Sequence, residues 1–178
     1  MEDLELINKI KNPETQHQGF SLLVKKYQEK IYGLIRKMVI DHADADDLTQ
    51  EVFIKVFQHF DQFRGDSQLY TWIYRIAANA SLSFLANKKR RFFLPLVNVK
   101  KELGQKIEEN MISGDQIQQL LQQAILQLPD KQRLVFHLKY YEEMSYEEIS
   151  TITHTSIGAL KASYHHAVKK IEYFLNNA

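Results

Sequence analysis

Apolar side chains recur at spacings of three and four along 20–40, 44–60, 68–87, 115–128, 130–141, 146–152 and 157–175, and this period predicts a chain built of helices. No stretch alternates apolar and polar residues as a half-buried strand does. The period lapses between about Phe92 and Gly114, where Pro95, Gly104 and Gly114 punctuate mixed charges, so this stretch reads as a linker. The expected fold is therefore all-α, with two helical domains at 1–91 and 115–178 joined by a linker at 92–114.

In the second half, Pro129 and Asp130 suit a helix start, and Leu134, Val135, Leu138 and Tyr141 form one face for burial. Ser145-Tyr146-Glu147-Glu148 fits a capping box, in which serine and glutamate satisfy each other's free backbone donors. The short helix it opens carries Ile149 and Ile152 and breaks at Thr153-His154-Thr155. Ser156 then caps a last helix with Ala159, Leu160, Ala167, Val168 and Ile171 inward. Two helices joined by a tight turn fit a helix-turn-helix, whose second helix enters the major groove. An ordinary helical hairpin uses the same spacing. On the DNA reading, Ser156, Gly158, Lys161, Ala162 and His165 face the duplex: the lysine can bond guanine edges or phosphate, and the capped helix start suits a phosphate.

In the first half, "DHADADDLTQEVFIKVFQHF" places Asp44 as the N-cap of a helix, with Leu48, Val52, Val56 and Phe60 inward and Asp47, Gln50 and Glu51 outward. A calcium loop beginning at Asp44 would need glycine at position 49 and glutamate at 55, where threonine and lysine stand. Further on, in "YTWIYRIAANA", Leu69, Ile73, Ile76 and Ala80 recur at buried spacing, while Trp72, Arg75 and Asn79 share a neighbouring face. Rings and an amide can stack on and read unpaired bases. A tryptophan that is simply core fits the same pattern.

Charge sharpens this picture. Residues 1–62 hold 8 Lys/Arg against 11 Asp/Glu, whereas 64–91 hold 6 against 1 and end in Lys88-Lys89-Arg90-Arg91, although the net charge of the chain is only +1. An acidic surface for one partner beside a basic one for a polyanion is the natural reading. With no cysteine, disulfides, thiol catalysis and cysteine zinc sites are excluded. Adjacent His165 and His166 diverge around the helix, so no metal and no cofactor is expected. No run of about 18 apolar residues and no signal peptide is present, which predicts a cytoplasmic protein with no membrane insertion of its own. No paired carboxylates, nucleophile-base set or phosphate loop suggests an enzyme.

On these residues the chain resembles the bacterial extracytoplasmic function (ECF) sigma factors of the sigma-70 superfamily. "DADDLTQEVFIKVFQHFDQFRGDSQLYTWIYRIAANA" is similar to their region two, and "LPDKQRLVFHLKYYEEMSYEEISTITHTSIGALKASYHHAVKKI" to region four. The resemblance implies a sigma factor, not an enzyme, that directs core RNA polymerase to promoters and assists melting. It implies that Asp47, Gln50 and Glu51 bind the clamp helices of core polymerase, with the flap as a second contact. Phe63, Arg64, Trp72, Arg75 and Asn79, with the basic Lys88 and Arg90, would hold the melted minus-ten element. Residues 156–166 would read the minus-thirty-five element, and an anti-sigma factor would regulate the protein. A stand-alone helix-turn-helix regulator with a sensing first domain is the alternative. Where members often carry arginines in the recognition helix, this chain has Ala159, Ala162, Tyr164, His165 and His166.

Overall fold

The computed structural model describes residues 2–92 and 116–177, all of whose regular elements are helical. The proposed linker lies almost wholly outside the described residues. The first helix, α1 (Asp3–Lys11), is one the apolar period did not predict, because its buried residues are only Leu6 and Ile10, a single turn apart. Tertiary contacts hold it: the Asp3 carboxylate accepts from Lys26 Nζ at 2.7 Å and from the Tyr27 hydroxyl at 2.7 Å. Burial, reinforced by that carboxylate, pushes the Tyr27 phenol above its usual range.

Helix α1 lies against α2 (Gln16–Val39) at Gly19. A Cβ there would stand 2.9 Å from the Ile10 backbone nitrogen and 2.9 Å from Lys9 Cβ. Alanine is worth about 1 kcal/mol more than glycine in a free helix, but the backbone of α1 cannot step aside. Gly19→Ala is therefore expected to lower stability, by about 1–3 kcal/mol, as read from a thermal melt.

Helix α2 ends in a tight turn. Ile40 takes φ 68° and ψ −40°, and Asp41 N–H donates to the Val39 carbonyl at 2.8 Å. Positive φ is costly for a β-branched residue, and it is held here by burial of the Ile40 side chain. The turn delivers Asp41 as the N-cap of α3 (His42–Gln58), its carboxylate accepting from Asp44 N–H at 3.1 Å. Asp44 thus sits in the first turn and is not the cap expected from sequence. Leu48, Val52, Phe53 and Val56 of α3 face inward, and a 3-10 turn, Phe60–Gln62, leads past Gly65 (φ 83°) into α4 (Leu69–Phe92).

In the second half, α5 (Gln116–Leu126), α6 (Asp130–Tyr140), α7 (Tyr146–Thr153) and α8 (Ile157–Asn176) follow. Leu134, Val135 and Leu138 are buried as expected, but Tyr141 is exposed, and so is Ala159 of α8. The capping box is formed: Ser145 Oγ accepts from Glu148 N–H at 3.2 Å, and the Glu148 carboxylate accepts from Ser145 N–H at 2.7 Å. His154 turns the chain in the left-handed region, and Ser156 Oγ caps α8 by accepting from Ala159 N–H.

The two halves pack on each other. Leu134, Val135, Leu138, Ile149, Ile152 and Leu160 join the apolar cluster built by α2, α3 and α4, while a smaller cluster around Phe136, Ala167 and Ile171 belongs to the second half alone. Polar contacts flank the seam. The Tyr74 hydroxyl donates to Glu142 at 2.6 Å, the Arg133 guanidinium donates to the Met38 carbonyl at 3.1 Å, and Lys89 pairs with Asp130.

Candidate nucleic-acid interface

Helix α4 carries most of the first-half residues expected to touch DNA, and its surroundings divide them. Trp72 is 6 % exposed and Phe63 4 %. The indole meets Phe60 edge-on at 5.9 Å and Phe63 at 5.4 Å. Both rings are therefore packed in the core of the free protein: Trp72 does not present the open stacking face expected of it, and Phe63, expected to contact the minus-ten element, is likewise covered. The cause is that α4 is covered on two sides, by α2 and α3 and by α7, so its buried arc is wider than a single stripe of spacing three and four. Ile76, conversely, is only half-buried.

Arg64, Asn79 and Arg90 are exposed and Arg75 is half-buried. The Arg90 guanidinium donates to the Asn87 side chain. Lys88, expected to gather phosphates, spends its charge on Asp44 at 2.7 Å. Both residues line a groove of about 750 Å³ between α3 and α4, together with Leu48, Glu51, Asn79 and Phe84 among others. The groove places Glu51 of the acidic face and Asn79 on one concavity, a neighbourhood invisible in the sequence because 28 positions separate them. Asp47, Gln50 and Glu51 are all exposed, and the one ion pair of Glu51 among the described residues is a long contact of 3.8 Å to Lys55.

On the second half, Ser156, Gly158, Lys161, Ala162 and His165 are all exposed along the start of α8. Tyr164 is not part of this face, being stacked on Phe136 at 5.9 Å. Among the described residues no cluster of side chains could hold a metal ion, and no helix is long and apolar enough to cross a membrane.

Sequence reasoning missed the groups at the seam between the halves. Arg133 is 2 % exposed and His137 3 % exposed. Burial first, then the neighbouring Arg133 and Lys37 charges, pushes His137 down to about 3. Burial likewise lowers Arg133, with Asp130 opposing. The only signal in the sequence was their place in an otherwise apolar stretch of α6, "RLVFHL".

A helix-turn-helix with an open second helix, joined to a helical module with an open acidic face, defines a two-module helical DNA-binding protein. Comparison with known proteins identifies which. Sigma-70 region 2 matches residues 23–91, and Sigma-70, region 4 matches residues 118–171. RNA polymerase sigma-H factor of Pseudomonas aeruginosa is 34% identical over 96% of this chain and 92% of its own length. ECF RNA polymerase sigma-E factor of Escherichia coli K12 is 32% identical over 87% of this chain and 85% of its own. The chain belongs to the ECF sigma factors of the sigma-70 family, and it is an RNA polymerase sigma factor that directs transcription initiation. The stand-alone regulator is thereby set aside.

The fold is shared with the sigma factor RpoE in complex with the anti-sigma factor NepR from Bartonella quintana, with a TM-score of 0.68 at 20% identity over 88% of this chain and 96% of that one. It is shared equally with CnrH in complex with the cytosolic domain of CnrY, again at a TM-score of 0.68 and 20% identity, over 98% of this chain and 94% of that one.

Proposed function

We propose that this sigma factor binds core polymerase through Asp47, Gln50 and Glu51, captures the opened minus-ten strand along Arg64, Arg75, Asn79 and Arg90, and reads the minus-thirty-five duplex through Ser156, Gly158, Lys161, Ala162 and His165. The single observation that carries this reading is the exposure of these faces on a frame that has buried the competing apolar candidates. The acidic face suits a basic partner surface such as the clamp helices, with the flap engaging the second module. Asn79, which lines the groove and is exposed, can read a base edge as it leaves the duplex. Duplex opening is assisted when such a base is held out of the stack.

An anti-sigma partner is part of the proposal, supported by the structural neighbour whose complex contains one, NepR. As a partner of RNA polymerase, the protein is proposed to act in the cytoplasm. The domains act as 1–91 and 115–178, in keeping with the two matched regions.

Reconstituted transcription tests the assignment. Glu51→Lys is expected to weaken core binding at least tenfold with an unchanged melting temperature, because the side chain is exposed and its Lys55 contact is worth well under about 1 kcal/mol. Asn79→Ala should retain core binding and lose permanganate-reactive thymines in the promoter. Normal opening by Asn79→Ala, or undiminished core affinity of Glu51→Lys, would remove the corresponding face.

A further inference from the structure

Tyr146 is the first residue of α7, and the capping box at Ser145 and Glu148 fixes the backbone on which it stands. Its ring is half-buried against the shared core. Two ammonium groups from different helices approach this one ring: Lys139 Nζ of α6 lies 4.9 Å from the centroid, and Lys161 Nζ of α8 lies 5.8 Å from it. Lys139 also donates to the Met144 carbonyl at 2.9 Å. Among the described residues, neither lysine has a carboxylate within ion-pair distance. Two like charges near one another repel unless something negative lies between them, and the face of an aromatic ring supplies partial negative charge within about 6 Å. Both ammonium groups thus lie against one ring with no ion-paired carboxylate among the described residues.

We propose that Tyr146 is a positioning residue for minus-thirty-five recognition: its ring gathers Lys139 and Lys161 into a two-cation grip on one backbone phosphate, which sets the register at which α8 meets the duplex. The proposal rests on the reading of α8 as the duplex-reading helix. A flexible lysine samples many rotamers, whereas a lysine held over a ring on a capped helix presents its charge at a fixed place. Phosphate contacts fix register and orientation, and base contacts such as those open to Ala162 and His165 then depend on that register.

The test alters the charge on the ring face while keeping its shape. Holoenzyme formed with the full chain is titrated with minus-thirty-five duplex at several salt concentrations. Position 146 carries tyrosine, phenylalanine, or phenylalanine with increasing ring fluorination. Tyr146→Phe is expected to stay within about twofold of the parent, and affinity should then fall stepwise with fluorination to about a fivefold loss at full substitution, with an unchanged melting temperature. Lys139→Gln and Lys161→Gln should each reduce the slope of log affinity against log salt by about 0.9, and the two losses should be non-additive. A flat fluorination series, or affinity that falls only in step with the melting temperature, overturns the role of Tyr146. If Lys161→Gln still weakens binding in that case, the duplex-reading helix stands and only the positioning role is lost. If neither lysine variant changes affinity or salt slope, the reading of α8 itself falls, and the proposal with it.

Discussion

Trp72→Ala is expected to remove about 3–5 kcal/mol of unfolding free energy, a large share of the roughly 5–15 kcal/mol that holds a typical domain. The indole is 6 % exposed and sits between Phe60 and Phe63. Deleting it leaves a cavity walled by two rings that cannot both move in, so the lost burial is not recovered by collapse. At about 2–4 °C per kcal/mol for a chain of this size, the melting temperature should fall by roughly 10 °C. Trp72→Phe keeps part of the contact and should recover more than half of that loss. Activity would be lost with the fold and not before it: at temperatures where Trp72→Ala remains folded, promoter opening should proceed. A variant with the parent's melting temperature and no opening would return the ring to the DNA face.

Between pH 7 and pH 5 the protein should lose about 2 kcal/mol of stability through His137 alone. The ring lies buried inside the seam beside the Lys37 backbone, and among the described residues neither nitrogen makes a hydrogen bond of good geometry. The charged and titratable groups facing it among the described residues are Arg133 on its own helix, Tyr141 just past that helix's end and Lys37 on α2, with Asp130 balancing Arg133 and also engaged by Lys89. Its native value of about 3 lies below the 6.5 of an unburied histidine. Below pH 6.5 the unfolded chain therefore takes up a proton that the native chain refuses, and stability falls with pH until about 3, where the native ring also titrates. Denaturant melts of the parent and of His137→Phe across this range check the sign. The difference between their profiles should grow steadily as pH falls below 6.5 and be nearly flat above 7. Parallel profiles would mean that the imidazole is hydrated in the native protein.

Features decided within a few residues were legible in the chain. The helix starts at Ser145 and Ser156 follow from hydroxyls that accept from backbone N–H groups three positions on, and the start at Pro129 follows from the fixed φ of proline without a side-chain bond; all three form as the sequence predicts. The exposed acidic run on α3 and the open start of α8 follow from helical period alone. The short α1 had two apolar contacts and no local cap, so its helix depends on Gly19, Lys26 and Tyr27 of α2.

The all-helical class and the two modules were thus written in the order of apolar and polar residues, because a helix's own period determines which of its faces can be buried. Which face is covered, and by what, is a matter of elements distant in the chain. Helix α4 is enclosed from two directions, which turned Trp72 from a ring that could stack on a base into one that holds the core. Asp44 claimed Lys88, a cation that reads from sequence as free for phosphate, across 44 positions. Burial and charge pairing are properties of the assembled surface, and the tertiary structure alone decided that Arg133 and His137 close a seam and that Glu51 and Asn79 share a groove.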